Sequence, residues 1–205
     1  MKKILLTAVL IGAMFSVSAY VVCVAAPLLG KNIKGSGHIV TKTLPAPDFD
    51  AIDASRAVKV VVSAGASDIR IEADDNLIDL VVVRAVKGKL EATLDQKVNN
   101  IQNGNVTITV PANGKIRSLD ASSASKIALA GSAEDFTADL SSASKLDAEK
   151  FTAVNASIST SSAAKADIDC SGKLTASASS GSSIGYTGGC RTSLSKSSGG
   201  SVRKN

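Results

Sequence analysis

Ser122-Ser123-Ala124-Ser125-Lys126 is followed by Ser141-Ser142-Ala143-Ser144-Lys145 and then by Ser161-Ser162-Ala163-Ala164-Lys165. The phrase weakens to Ser179-Ser180-Gly181-Ser182-Ser183 and Ser197-Ser198-Gly199-Gly200-Ser201. Successive copies start 19, 20, 18 and 18 residues apart. A fixed period of this size is the signature of a solenoid, in which one unit buries too little surface alone and stacking supplies a continuous core. The columns beside the phrase keep the register. Ile127, Leu146, Ala166, Ile184 and Val202 follow it directly, and Leu119, Ala138, Ile158, Ala176 and Leu194 stand three residues before it. Two positions beyond the first set come Leu129, Ala148, Ile168, Tyr186 and Lys204, while Ala128, Asp147, Asp167, Gly185 and Arg203 lie between. Apolar positions alternating with small or polar ones carry the two-residue period of a strand.

A helical repeat is the rival, since Ala, Leu, Lys and Glu favour helices. The dense Ser, Thr and Gly, the alternation and the short period all oppose it. The sequence therefore predicts an all-β solenoid with turns of about 18–20 residues, like residues stacking about 4.8 Å apart.

Working outward, the first half reads as β with a less regular period. Candidate strands are His38–Thr43, Phe49–Ala54, Val58–Ser63, Asp68–Ala73, Leu80–Arg84, Lys89–Leu94, Val106–Val110 and Ile116–Ala121. Gly65, Asp74-Asp75-Asn76, Lys87-Gly88, Asn103-Gly104 and Asn113-Gly114 punctuate them. Asn76–Asp79 reads as a short helical turn and Gln96–Asn105 as a polar loop. No linker separates the halves.

The amino terminus reads as an export signal over residues 1–25. Lys2-Lys3 precedes an apolar run from Ile4, and small residues follow, with cleavage expected near Ala25. Residues 26–35 are a short linker and 36–204 the folded domain. Two alternatives stand beside cleavage: the run Ile4–Ala26 is long enough to be retained as a membrane anchor, and Cys23 is a candidate lipidation site, although Val22 is not the small residue expected before such a cysteine. Every version places the domain outside the cytoplasm, in the periplasm, on the outer-membrane surface or in the medium.

Composition narrows the chemistry. Aromatics are 3% of the 205 residues, with no Trp, which argues against base stacking or an aromatic sugar cleft. His38 is the single histidine, so a multi-His metal centre or a His-based relay is not expected. The net charge of +5 is too scattered for a nucleic-acid binder. No catalytic residue, metal or cofactor is predicted.

Three candidate features remain. Lys126, Lys145 and Lys165 share one repeat position, and like charges so spaced repel by roughly 0.9 kcal/mol per neighbouring pair even in water. They must face solvent or meet anions, which makes them a candidate binding stripe. Asp120 and Asp139 share another position, two residues before the phrase, and stand as either a solvated ladder or an acid pair; the later turns carry Ser159, Ser177 and Ser195 there. Cys170 and Cys190, about one turn apart and two positions out of register, are a candidate disulfide in an oxidising compartment.

Several of these segments, in order, are familiar. Gly35-Ser36-Gly37, Phe49-Asp50-Ala51-Ile52-Asp53-Ala54-Ser55, Val58-Lys59-Val60-Val61-Val62 and Ile71-Glu72-Ala73-Asp74-Asp75-Asn76-Leu77-Ile78 open the pattern. Ser179-Ser180-Gly181-Ser182-Ser183-Ile184 and Ser197-Ser198-Gly199-Gly200-Ser201-Val202 close it. Together they resemble the putative auto-transporter adhesin, head GIN domain family. The resemblance implies a right-handed parallel β-helix and an extracytoplasmic protein. It departs at Tyr186-Thr187-Gly188-Gly189-Cys190, where the family more often has Gly-Asn-Pro.

The expectation is thus a non-catalytic adhesion or surface-binding module with a glycan or matrix ligand, no nucleic-acid partner, and membrane contact only through an uncleaved or lipidated amino terminus. An exposed end strand is a candidate for pairing with a second copy. The alternatives are a carbohydrate-active β-helix enzyme and a purely structural envelope protein.

Overall fold

At the serine phrase, the two central residues of Ser122–Ser125 take positive φ, 51° at Ser123 and 61° at Ala124, and the Ser125 amide donates to the Ser122 carbonyl at 3.1 Å. Two consecutive left-handed residues closed by such a bond are the pattern of a type I′ turn. Ser142-Ala143, Ser162-Ala163, Ser180-Gly181 and Ser198-Gly199 repeat it. In the computed structural model, which describes residues 30–112 and 116–205, these turns stack. The amide of Ala124 donates to Ser142, that of Ala143 to Ser162, that of Ala163 to Ser180 and that of Gly181 to Ser198, at 2.9–3.1 Å. The export signal, Cys23 and the Asn113-Gly114 turn lie outside the described residues.

Sixteen strands follow in chain order: β1 Lys31–Lys34, β2 Ile39–Leu44, β3 Ala51–Ala54, β4 Lys59–Ser63, β5 Ile69–Asp74, β6 Val81–Val86, β7 Lys89–Leu94, β8 Val98–Gln102, β9 Val106–Pro111, β10 Ser118–Ala121, β11 Lys126–Leu140, β12 Lys145–Thr160, β13 Lys165–Ala178, β14 Ser183–Thr187, β15 Arg191–Lys196 and β16 Ser201–Lys204. Among the described residues the one helical element is a 3-10 turn at Ile78–Leu80. The described residues are all-β, and fourteen of these strands form one curled, half-barrel sheet.

Strands β11, β12 and β13 are long because each bends at a bulge and serves two faces. Their C-terminal halves join β15 at one end and β10, β3 and β7 at the other, all parallel. Their N-terminal halves join β14 and β16 at one end and β4 and β9 at the other, again parallel. The sequence columns are the pairing registers. Leu119, Ala138, Ile158, Ala176 and Leu194 are consecutive partners on the first face. Ile127, Leu146, Ala166, Ile184 and Val202 are consecutive partners on the second. Both columns point inward, and all but Leu194 are buried in one core that runs from Phe49 to Val202. Large and small residues alternate along the first column, which suits close packing of a narrow interior.

The serine at the fourth position of the phrase also points inward. Ser125 Oγ donates to the Ala54 carbonyl and Ser144 Oγ to the Ala121 carbonyl, each at 3.0 Å, and Ser182 Oγ to the Thr160 carbonyl at 2.9 Å. These hydroxyls are buried but satisfied.

Antiparallel strands close the opposite end of each face. β6 covers β7, and β5 covers β9 with β2 outside it. The segment read as a linker contributes β1, which pairs in parallel with β8. β8 lies within the stretch expected to be a loop; its alternation is too weak to read (Val98 is its one buried residue). Two motifs of the opening pattern bind each other here. The carboxylate of Asp74, fully buried, accepts the amides of Gly37 and Asn105, each at 2.7 Å. Asn76 accepts the Ser36 amide and donates to the Lys34 carbonyl.

Candidate functional site

Each corner separates two outward rows. The residue after the corner begins the second face, and there Lys126, Lys145 and Lys165 are consecutive register partners. The row is longer than the repeat indicates: Lys59 of β4 pairs with Lys126, making four lysines in line. All four are exposed, and none forms an ion pair with a described residue. Thr107 precedes the row, and Ser183 and Ser201 continue it. Two positions along the strands, Asp147 and Asp167 lie beside Lys145 and Lys165, whereas Val61 and Ala128 lie beside Lys59 and Lys126.

Before the corner runs a row of opposite sign. Asp120 and Asp139 are register partners as expected, and Asp53 and Glu91 extend them to four carboxylates. The row also carries cations. Lys89 Nζ lies 2.6 Å from Asp120 Oδ2, and Arg84 Nε lies 2.6 Å from Glu91 Oε2. Burial pushes the Asp53 carboxyl above the usual carboxylate range, Asp120 adds to the rise and Lys89 opposes it. The hydrogen bond to Asp120 holds the Lys89 ammonium above its ordinary value. Asp53, Asp120 and Asp139 line an open groove of about 420 Å³ that continues over Ser159 and Ser177. Beside it a second outward column reads Ser118, Thr137, Ser157, Thr175 and Ser193. This face is thus broad and hydroxyl-rich. A larger hollow, about 530 Å³, lies beside Val82, Arg84, Thr93 and Lys97, at the Glu91 end of the carboxylate row. Among the described residues no cluster of His, Cys, Asp or Glu is arranged to hold a metal ion.

The members that sequence reading missed were signalled. Ile52-Asp53-Ala54-Ser55-Arg56-Ala57-Val58-Lys59 parallels Leu119-Asp120-Ala121-Ser122-Ser123-Ala124-Ser125-Lys126 position by position. Arg56 and Ala57 also take positive φ, 59° and 60°, and the Ala57 amide donates to the Ser123 carbonyl. The excursion through β5–β9 hides this copy by displacing it from the 18–20-residue spacing.

Cys170 and Cys190 are both thiols, the first buried and the second partly exposed. Burial first, then the neighbouring Cys190 thiol, pushes the Cys170 thiol up to about 11.

No curated protein matches this chain. Among solved structures, a putative adhesin from Bacteroides fragilis is 19% identical, with a TM-score of 0.49 over 84% of this chain and 99% of that one. Putative adhesins from Parabacteroides merdae and Parabacteroides distasonis are each 14% identical, with TM-scores of 0.39 and 0.40 over 86% and 85% of this chain and 100% of their own. The family described as putative auto-transporter adhesin, head GIN domain, matches residues 48–122 and 113–190. These stretches take in the Asp53-to-Lys59 copy and four of the five serine phrases, and the chain belongs to that family.

Proposed function

We propose that this chain is an exported, non-catalytic adhesion module, wound as a right-handed parallel β-helix, whose ligand is an anionic surface glycan or matrix polymer held along Lys59, Lys126, Lys145 and Lys165. Parallel stacking of equivalent residues supports the winding, and the family name supports adhesion. The lysine row carries the ligand class. In-register lysines at strand spacing repel one another unless their side chains splay or meet anions. An extended polyanion relieves that repulsion and releases counterions in doing so.

A glycan and matrix binding screen at low and physiological salt tests this reading. Acidic polymers are expected to bind and to weaken with salt. Replacing the four lysines by Gln is expected to reduce affinity about tenfold or more, since each cation near a polyanion contributes on the order of 1 kcal/mol. Binding that ignores the four substitutions refutes the assignment, and flat binding across the screen favours a purely structural envelope role.

The carboxylate groove gives the enzyme alternative its one specific observation, a protonation-prone Asp53 beside Asp120. Pairing of Asp120 with Lys89 opposes it, because an acid–base pair needs both carboxyls free to exchange protons. Depolymerisation of an acidic glycan, abolished in the Asp53→Asn/Asp120→Asn variant, would establish that alternative instead.

A further inference from the structure

We propose that Cys170 and Cys190 are a covalent modification site: they close into an intramolecular disulfide in an oxidising compartment and staple β15 to the turn beneath it. Two registers bracket the pair. Asp169 partners Thr187 on one side and Lys173 partners Arg191 on the other. The three residues from Cys170 to Gly172 therefore run alongside the three from Gly188 to Cys190. The approach is close, since a Cβ on Gly188 would collide with the Cys170 carbonyl, and Gly188 has φ 90°. The side chain of Cys190 packs against the core that buries Cys170, and the Cys190 thiol lies near enough to help raise the Cys170 pKa. Cys170 Sγ points at the Val154 and Lys173 carbonyls at 3.4 and 3.3 Å, weak contacts that leave it available to a second sulfur.

The exposures order the chemistry. The partly exposed Cys190 attacks a small or carrier disulfide as its thiolate, forming a mixed disulfide and expelling one thiol. Cys170 then gives up its proton as its sulfur attacks that of Cys190, the external S–S bond breaks, and the second thiol leaves with a proton. Two protein thiols lose two electrons, and one external disulfide becomes two thiols.

β15 is the element that gains. Every residue of it is exposed and it pairs with β13 alone, so it is the edge most prone to open. The staple is independent of what the lysine row binds.

The test is full-length protein equilibrated in oxidised or reduced glutathione, alkylated, and cut after Lys and Arg without reductant. Peptide 166–173, carrying Cys170, is expected joined to peptide 174–191, carrying Cys190, two hydrogens lighter than their sum. Reduction is expected to separate them and to speed amide exchange in β15 by about tenfold or more. Alkylation of both thiols, a lasting glutathione adduct on Cys190, or a link to Cys23 would overturn the pairing. A joined peptide with unchanged exchange would overturn the staple. Cys190→Ser, folded by circular dichroism, serves as the reduced-state control and is expected to show the faster exchange in both buffers.

Discussion

Lys89 reaches over an entire strand to Asp120: its Nζ sits 2.6 Å from Oδ2 although β3 lies between their own strands. Asp53, on the strand being crossed, therefore sits between a carboxylate and an ammonium. Replacing Lys89 with Gln removes the neighbouring cation that holds the Asp53 pKa down. Carboxyl titration by NMR is expected to show Asp53 protonating at higher pH in the variant. The cost in stability should stay below about 1 kcal/mol, as for most exposed ion pairs. An unmoved titration curve would show that the reach is not populated in solution.

The same carboxyl sets a pH dependence with a definite sign. The Asp53 pKa is raised from 3.8 in the folded state, so between those two values the native chain holds the extra proton. Its contribution to stability is therefore lost as pH rises through that window. Asp53→Asn is expected to be more stable than the parent at neutral pH, with the difference shrinking as pH falls through that window and smallest below about pH 3.8. Lys89 works at the other extreme: its raised pKa makes its contribution full below 10.5 and lost as pH climbs past its folded value. Urea titrations in acid, neutral and alkaline buffer measure both.

At the corners, Ala124, Ala143 and Ala163 are exposed and left-handed, with φ of 60–62°. The last two corners put Gly there. Ala143→Gly is expected to stabilise the fold by about 0.5–1 kcal/mol, relief of backbone strain outweighing the added freedom of the unfolded chain. Ala143→Val is expected to destabilise it. Equal midpoints for the three proteins would mean that the corner is not left-handed.

Asp74 joins two segments distant in sequence. Asp74→Ala leaves the amides of Gly37 and Asn105 without their carboxylate, at an expected cost of about 2–4 kcal/mol. Chemical denaturation gives the value, and amide exchange should localise the loosening to β2 and its surroundings.

Pairing of two copies through β15 and β16 should depend on salt. These strands carry Arg191, Lys196, Arg203 and Lys204, so edge-to-edge contact opposes like charges while Leu194, 40% exposed, favours it. Sedimentation is expected to show monomer at low ionic strength and self-association when salt screens the edge; association that weakens with added salt would refute this.

Legibility followed periodicity. Ile127, Leu146, Ala166 and Ile184 could be placed on one column because a two-residue alternation inside a constant period leaves a single register. Lys59 and Asp53 could not, since their copy of the corner is cut off from the others by the β5–β9 excursion. Asp74 read as turn punctuation because a carboxylate's burial depends on which amides come to meet it, and those belong to Gly37 and Asn105. The Lys89–Asp120 contact was invisible for a related reason, being made by a flexible side chain between strands that do not touch.

The corner ladder also bears on how such a chain can change its length. Ala124 donates to Ser142 and Ala143 to Ser162 through the same pair of backbone atoms, so a donor at one level suits the acceptor at any other. Excision of residues 145–164 would bring Ser144 directly before Lys165, the same Ser-Lys junction as Ser125-Lys126, and shorten the cationic track by one lysine. Duplication of the same segment would lengthen it. The reach of the protein along a polymer is in this sense digital, adjustable in whole coils by recombination within one gene.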